Sequence, residues 1–362
     1  MPGPLQGLTI VEMAGIGPAP FAGMMLADHG AEVIRIEREG LIGIPDDPLL
    51  RSRRSIALDL KAEGACEVVG KLALTADGLV EGYRPGVMER LGLGPEELLR
   101  ANPGLVYGRV TGWGQSGPLA SQAGHDIDYL AISGLLHGIG PRERPVVPAN
   151  YIADFAGGGM MLAFGMVTAL LHVQRGGSGQ VIDCAMSDGA ALIGALTYGM
   201  RAAGLWGDER ESNLLDGGSA TYGVYECSDG RFLALGAIEP SFRETLLEGL
   251  GLASDARKDE VTGSIATRPR DEWVSHFAGT DACVAPVLTM EEAPVHPHNR
   301  TRGTFIELDS VTQPAPAPRY SATQPIGPSP PRKAGADGEA ILSELGYSPR
   351  EIGRLRREGV LL

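Results

Sequence analysis

Two short runs decide how this chain reads: GHDIDYLAISGL at 124–135 and NYIADFAGGGMM at 150–161. In the first, His125 stands between a glycine and an acid, ahead of an apolar pattern that predicts a helix over Ile127–Leu136. In the second, Asp154 precedes a glycine run and a long apolar pattern that predicts a helix over Phe155–Val173, with the aspartate as its N-cap. A histidine and an aspartate thus sit at the mouths of two helices. Imidazole, with an unperturbed pKa of about 6.5, takes and returns protons readily at neutral pH. Each residue also has a plain structural use, a helix start for His125 and a cap for Asp154. As a cap Asp154 would be held anionic by the helix dipole, so carrying a proton requires desolvation to oppose that dipole. Gly157, Gly158 and Gly159 each cost about 1 kcal/mol of helix propensity relative to alanine. That cost implies close approach to the backbone, by a bulky ligand in the simplest case or by a packed helix.

Outward from these runs the chain reads as α/β. Leu8–Val11 and Ala31–Glu37 are strands flanking a helix over Phe21–Asp28, a βαβ unit. Its glycine turn and Glu37 invite a dinucleotide-binding reading, but Pro20 stands where the third glycine of that fingerprint belongs. Further strands are expected at Ser55–Leu60, Gly78–Val80, Gly104–Thr111 and Gln180–Ala185, with helices at Pro95–Ala101 and Asp188–Gly204. Basic residues recur near strand ends at Arg38, Arg51, Arg53, Arg54, Lys61, Arg84 and Arg90. Singly they read as surface charges; together, in an acidic chain, they form a candidate phosphate site. The polar, glycine-rich run 205–220 reads as a linker, and a hairpin across Cys227 and Arg231–Gly236 opens an α+β region. Helices are expected at Ser241–Leu250 and Arg270–Phe277, an extended proline-rich connector at Gln313–Pro331, and helices at Gly338–Leu345 and Pro349–Glu358. The expected layout is a large domain at 1–204, a linker at 205–220, a small domain at 221–312, a return linker at 313–331 and C-terminal helices at 332–362 that rejoin the large domain.

At 362 residues and 43% hydrophobic the chain has the material for two lobes and a real core. A formal net charge of −14 argues against nucleic acid or an anionic membrane as partner, and an anionic ligand would need a local basic site. The four cysteines form no CxxC pair and read as reduced thiols of a cytoplasmic protein. The opening residues lack the pattern of a signal peptide, and the glycines and histidine of Phe155–Val173 suit a soluble core helix better than a membrane span. His296 and His298 have no third ligand nearby, so no metal is expected.

GHDIDYLAISG, ADFAGGGMMLAFGM and EGYRPGVMERLGLGPEEL resemble the family III CoA-transferase superfamily, and within it the α-methylacyl-CoA racemase branch. The resemblance spans nearly the whole chain, from PGPLQGLTIVEMAGIGPAPF through NLLDGG and YECSDGRF to PAPRYS. It implies a large Rossmann-like CoA-binding domain with a parallel sheet, a smaller α+β domain, and a homodimer whose two chains interlock. It implies an acyl-CoA thioester as substrate and no cofactor. His125 and Asp154 take the places of two bases flanking the substrate's α-carbon, Glu239 that of the residue orienting the histidine, and the Asp126 amide that of a donor to the thioester oxygen. CoA contacts fall on Arg38, Leu58, Asp59, Leu60, Lys61, Gly82, Tyr83, Arg84 and Arg90. Gly124, His125, Asp126, Ile127, Asp128 and Tyr129 would meet the pantetheine and thioester end. The implied reaction is interconversion of (R)- and (S)-2-methylacyl-CoA through an enolate. The competing reading is a CoA-transferase with Asp154 as covalent nucleophile. Those enzymes generally lack the histidine of the GHD run, so the His125–Glu239 pair favours the racemase. A non-catalytic CoA-binding protein would leave His125, Asp154 and Glu239 without a use.

Overall fold

A computed structural model of the chain describes residues 3–38, 44, 46–323 and 327–362. Within the expected proline-rich connector, 324–326 lie outside the described residues. Strand and helix alternate from Thr9 to Ile193. The strands are β1 (Thr9–Met13), β2 (Glu32–Glu37), β3 (Arg53–Ala57), β4 (Gly78–Glu81), β5 (Val106–Thr111) and β6 (Gln180–Ala185). They form one sheet in the order β3-β2-β1-β4-β5-β6, with every neighbouring pair parallel. This is the doubly wound order, in which the chain reverses direction across the sheet between β1 and β4.

The helices between the strands are α1 (Pro18–Asp28), α2 (Ala65–Thr75), α3 (Val87–Arg90), α4 (Pro95–Ala101) and α5 (Asp126–Ile132). A π-helix (Tyr151–Met160) then continues directly into α6 (Met161–Gln174), and α7 (Met186–Ile193) follows β6. Proline at the first turn starts α1 and α4, where its missing N–H costs nothing. Strands β1 to β5 are buried on both faces over most of their length, as a covered parallel sheet requires, and Ile10, Val11, Leu79, Val106 and Tyr107 are fully enclosed, whereas edge strand β6 is buried only at Cys184 and Ala185.

Charge is buried in that sheet only where it is paired. Arg35 bonds both Glu12 and Glu37, with its Nε 3.0 Å from Glu37 Oε1, and Arg53 Nε lies 3.1 Å from Glu12 Oε2. The same guanidiniums reach out of the sheet: Arg35 Nη2 donates to the Gly15 carbonyl at 3.2 Å and Arg53 Nη2 to the Pro20 carbonyl at 2.5 Å. The loop after β1 and the first turn of α1 are therefore tied to β2 and β3.

The chain divides into two compact units: Met1–Ser133 with Ala149–Ile193 and Phe305–Leu362, and Gly134–Pro148 with Gly194–Thr304. The second unit contains α8 (Ala195–Ala202), β7 (Tyr222–Glu226), β8 (Phe232–Gly236), α9 (Pro240–Gly249), α10 (Lys258–Ile265), α11 (Arg270–His276), β9 (Val284–Pro286), α12 (Glu292–Val295) and α13 (Pro297–Arg302). Its three strands are antiparallel around a core that includes Leu233, Leu246, Val261 and Trp273. The chain then returns to the first unit with β10 (Phe305–Leu308) and β11 (Val311–Pro314), an antiparallel hairpin, and ends in α14 (Gly338–Glu344) and α15 (Pro349–Arg357). Ile341, Leu342, Ile352, Leu355, Val360 and Leu361 join Val11, Ile34, Ile56 and Leu79 in one core cluster. The division falls elsewhere than the sequence boundaries: 134–148 belongs with the second unit, and 305–312 with the first.

Several elements differ from the sequence reading. The helix expected over Asp188–Gly204 is two helices, broken at Gly194. Gln313 and Pro314 of the expected extended connector belong instead to β11 and pair in a hairpin. The long helix is more than an α-helix: Tyr151–Met160 is π-helical, and it begins before Asp154 rather than after it. Tyr151–Gln174 as a whole is long and apolar enough to cross a membrane by length and composition, with mean hydropathy 1.6. One face of it packs as a core helix does, since Met166 is fully buried and fills the room left by Gly78 and Gly108 on the sheet, while Phe164 and Leu171 stand exposed on another.

Candidate active site

The loops after β2, β3, β4 and β5, at the C-terminal edge of the parallel sheet, each carry or lead to a residue expected from the sequence, and this is the edge where open α/β sheets bind ligands. Arg38 follows β2, Leu58–Lys61 follows β3, Gly82–Arg84 follows β4, and the loop after β5 leads to His125. The β1–α1 and β4 loops meet at the switch point, where a Cβ on Gly82 would lie 3.4 Å from the Ala19 methyl.

His125 is the N-cap of α5, with extended backbone (φ −133°, ψ 175°) and an exposed side chain. Its amide donates to Asp128 Oδ2 at 2.9 Å, which fixes the first turn. Asp126 follows, buried to 5% exposure, and its Oδ1 accepts from the backbone amides of Ala153 and Asp154, each at 2.8 Å. One carboxylate oxygen thus joins the start of α5 to the turn that holds Asp154. The Asp126 amide itself, at the first position of the helix, has no bonding partner among the described residues.

Asp154 is not the N-cap expected for its helix. That position belongs to Asn150, and Asp154 lies within the π-helix. Asn150 Nδ2 donates to Asp154 Oδ2 at 3.2 Å, and a Cβ on Gly17 (φ 69°) would stand 3.6 Å from the same oxygen. Burial raises the Asp154 pKa above the ordinary carboxylate value and the Asp126 charge adds to the rise, while the Asn150 bond and His125 oppose it. The conflict posed by the sequence is settled by desolvation, with no ligand needed to supply it.

Tyr129, one turn along α5, is buried beneath the site. Its hydroxyl donates to the Gly124 carbonyl and its ring meets Trp113 edge-on at 4.7 Å. Gly112 and Gly124 leave space for that ring, since a Cβ on either would clash with it. Burial pushes the Tyr129 hydroxyl up to about 12; Asp154, Asp128 and Asp126 add to the shift, while Arg84 opposes it. Asp154 and Arg84 therefore both act electrostatically on the Tyr129 hydroxyl.

The glycine run serves helix packing rather than ligand approach. A Cβ on Gly157 would meet Ala190 N at 2.7 Å, one on Gly158 Met186 Cγ at 2.8 Å, and one on Gly159 Phe21 Cδ1 at 2.7 Å. The π-helix is wedged between α7 and α1, and only glycine allows that distance. A π-helix widens the backbone by one residue per turn, a form found most often at functional sites.

Three of the seven basic residues are consumed internally. Arg51 is buried against Asp28 and Gln313, Arg53 against Glu12, and Arg54 pairs with Glu32 and Glu344. Arg38, Lys61, Arg84 and Arg90 are exposed, with no ion-pair partner among the described residues. Glu37 is likewise occupied, accepting from Arg35 and from the Ser55 hydroxyl. Glu81, fully buried, accepts from the Tyr83 amide at 2.6 Å and from Arg109 Nε at 2.7 Å, so it shapes the loop bearing Arg84. Leu58 is a core residue, with Leu60 packed against that core; Asp59 Oδ1 accepts from the Lys61 amide at 3.0 Å. Gly124, Ile127 and Asp128 lie around the start of α5 with His125. Glu239 lies in the second unit, exposed at the N-cap of α9. Among the described residues no group of His, Cys, Asp and Glu is arranged to hold a metal. Sequence reasoning missed the Asp126 carboxylate and Asn150. An acid immediately after the histidine, and an asparagine four residues before Asp154 in an apolar run, were the available signals.

Residues 5–337 match the model of CoA-transferase family III. α-Methylacyl-CoA racemases of Mus musculus and Homo sapiens are each 44% identical to this chain over 373 residues, covering 99% of it and 97% of their own length. Succinyl-CoA:glutarate CoA-transferase of Homo sapiens is 30% identical, covering 99% of this chain and 90% of its own. Among solved structures, a CAIB/BAIF family protein from Brucella suis superposes with a TM-score of 0.81 at 26% identity, over 95% of this chain and 100% of its own.

Proposed function

This chain belongs to CoA-transferase family III, and on that footing we propose that it is a racemase that interconverts (R)- and (S)-2-methylacyl-CoA thioesters. The observation that carries the reading is the presence in one unit of exposed His125 and a desolvated Asp154 whose pKa burial raises. The 44% identity to α-methylacyl-CoA racemases along nearly the whole chain supports it.

An α-proton beside a thioester is far too weakly acidic for a side-chain base acting alone, so the enolate oxygen must be stabilised as it forms. The Asp126 amide, unpaired at the first turn of α5, is the donor for that oxygen, a role typically worth about 3 kcal/mol of barrier. His125 starts neutral while Asp154 starts protonated; one abstracts from one face of the α-carbon and the other returns a proton to the opposite face. The reverse reaction inverts both states. Glu239 enters the scheme only through its match to the family's motif, as the residue that would orient the imidazole. Arg38, Lys61, Arg84 and Arg90 receive the phosphates of CoA, with Leu58, Asp59, Leu60, Gly82 and Tyr83 shaping the groove. Gly124, Ile127, Asp128 and Tyr129 surround the thioester end. No cofactor takes part in this scheme.

The working form is an interlocked homodimer in the cytoplasm. In its support, the single chain exposes Phe164 by 70% and Leu171 by 47% on α6, and Leu192 by 59% on α7. An apolar surface of this kind calls for a covering partner.

The test is proton NMR of (R)-2-methylacyl-CoA with the enzyme in D2O and no acceptor acid. Loss of the α-proton together with optical activity is expected, falling by about 100-fold or more in His125→Ala. CoA transfer to an added carboxylic acid, without α-exchange, would make Asp154 a nucleophile and end the racemase reading.

A further inference from the structure

Asp126 presents an anomaly that its backbone role leaves unexplained. Its side chain is 95% buried, yet only Oδ1 is bonded; Oδ2 is enclosed with no partner. A buried carboxylate oxygen left unsatisfied is costly, and such groups persist where they serve function. The bonded oxygen meets the amides of Ala153 and Asp154, both at 2.8 Å.

We infer that the Asp126 side chain is a positioning residue for Asp154, setting both where that carboxyl lies and how tightly it holds a proton. The inference rests on the racemase reading for its consequence in turnover, but its geometry does not. The two amide bonds fix the turn at the point where it carries Asp154, so the carboxyl cannot swing with its backbone. The unbonded Oδ2 has no hydrogen-bond donor to offset it in a buried setting, where electrostatic effects on a neighbouring group are screened less than in water. In accord with this, Asp126 is among the causes that raise Asp154.

The other groups around Asp154 are few. His125 and Tyr129 face it from α5, and Asn150 from its own helix. Gly17 brings backbone only. On the packed neighbours, Asp188 of α7 is exposed, Asp28 of α1 is paired to Arg51, and Arg109 of β5 is tied to Glu81 and Glu89. Asp126 is therefore the near carboxylate without a neutralising partner.

Asp126→Asn separates the two roles, because it keeps an oxygen for the two amides and removes the charge. The Asp154 carboxyl is titrated directly by carbon-13 NMR of aspartate-labelled protein, with the resonance assigned by its loss in Asp154→Asn. In Asp126→Asn the midpoint is expected to fall below that of wild type. The acid limb of kcat/KM, in the direction where Asp154 abstracts, should move to lower pH with it. Asp126→Ala should also displace the Ala153 and Asp154 amide resonances and lower kcat about 10- to 100-fold with little change in KM. If the alanine variant does not fold, the asparagine variant alone decides. An unchanged Asp154 midpoint in folded Asp126→Asn overturns the inference. Absence of α-exchange in the wild type instead overturns the racemase reading, and the carboxyl titration still judges the coupling of the two aspartates.

Discussion

Alanine at Gly157 should unseat the catalytic turn from a distance. The added methyl would stand 2.7 Å from the Ala190 amide nitrogen and 3.0 Å from the Gly189 carbonyl carbon. Both are backbone atoms of α7, so no side chain can rotate away. Reaching an ordinary contact of about 3.5 Å requires the π-helix and α7 to part by roughly 0.8 Å, starting from the 2.7 Å approach. Overpacking of this kind costs about 1–3 kcal/mol, and the rigid backbone places this case near the upper end. Alanine returns about 1 kcal/mol of helix propensity, leaving a net loss of about 2 kcal/mol. The displaced turn is the one holding Asp154, three residues earlier, and a misplacement approaching 1 Å can cost about 100-fold in rate. Urea unfolding followed by circular dichroism reads the first effect, and α-proton exchange in D2O the second. Gly199→Ala in α8 is the control, because nothing lies within 4 Å of its Cβ position; it should be neutral or stabilising by up to about 1 kcal/mol. If Gly157→Ala unfolds at the same urea concentration as Gly199→Ala and keeps full activity, the wedge described here is wrong.

Asp154→Asn should abolish racemisation while stabilising the fold at neutral pH. Because burial raises the folded-state pKa above the ordinary carboxylate value, Asp154 contributes stability that is full below that ordinary value and lost as pH rises through the raised one. The gain in melting temperature on substitution should therefore be largest at pH 7 and vanish in acid. Arg109→Ala leaves Glu81 buried without its cation and should cost about 3–5 kcal/mol in urea unfolding. Arg84→Ala should raise KM for the CoA thioester about 10-fold with kcat little changed, measured by steady-state kinetics across a salt series. An unchanged KM would remove Arg84 from the phosphate site.

The sheet was legible because its strands are short apolar runs punctuated by glycine and proline, and the helix over Pro95–Ala101 and the strand over Gln180–Ala185 have the expected bounds. The loops at the sheet's C-terminal edge followed from that order. The π-helix was not legible: its residues are as apolar as those of an ordinary helix, and its widened turn comes from tertiary packing against α1 and α7. The same blindness left the glycines open between ligand clearance and helix packing and took Asp154 for a cap. Among the basic residues, sequence could not separate Arg53 from Arg84. One side chain points from a strand into the interior and the other from a loop to solvent, and that depends on register. The Phe305–Leu308 and Val311–Pro314 hairpin was hidden by the prolines that follow it.

The late arrival of the covering helices has a consequence during synthesis. The last strand of the sheet, β6, ends at Ala185, while α14, whose Ile341 and Leu342 help close the core cluster, begins at Gly338. At translation rates of about 5–20 residues per second, the 338 − 185 = 153 intervening residues take roughly 8–30 s to emerge. Through that interval the part of the core cluster that α14 and α15 close stands open, with α2, α3 and α4 already packed beside it, while the second unit is made. A nascent chain in this condition invites chaperones, and any message truncated before α14 would leave an adhesive product.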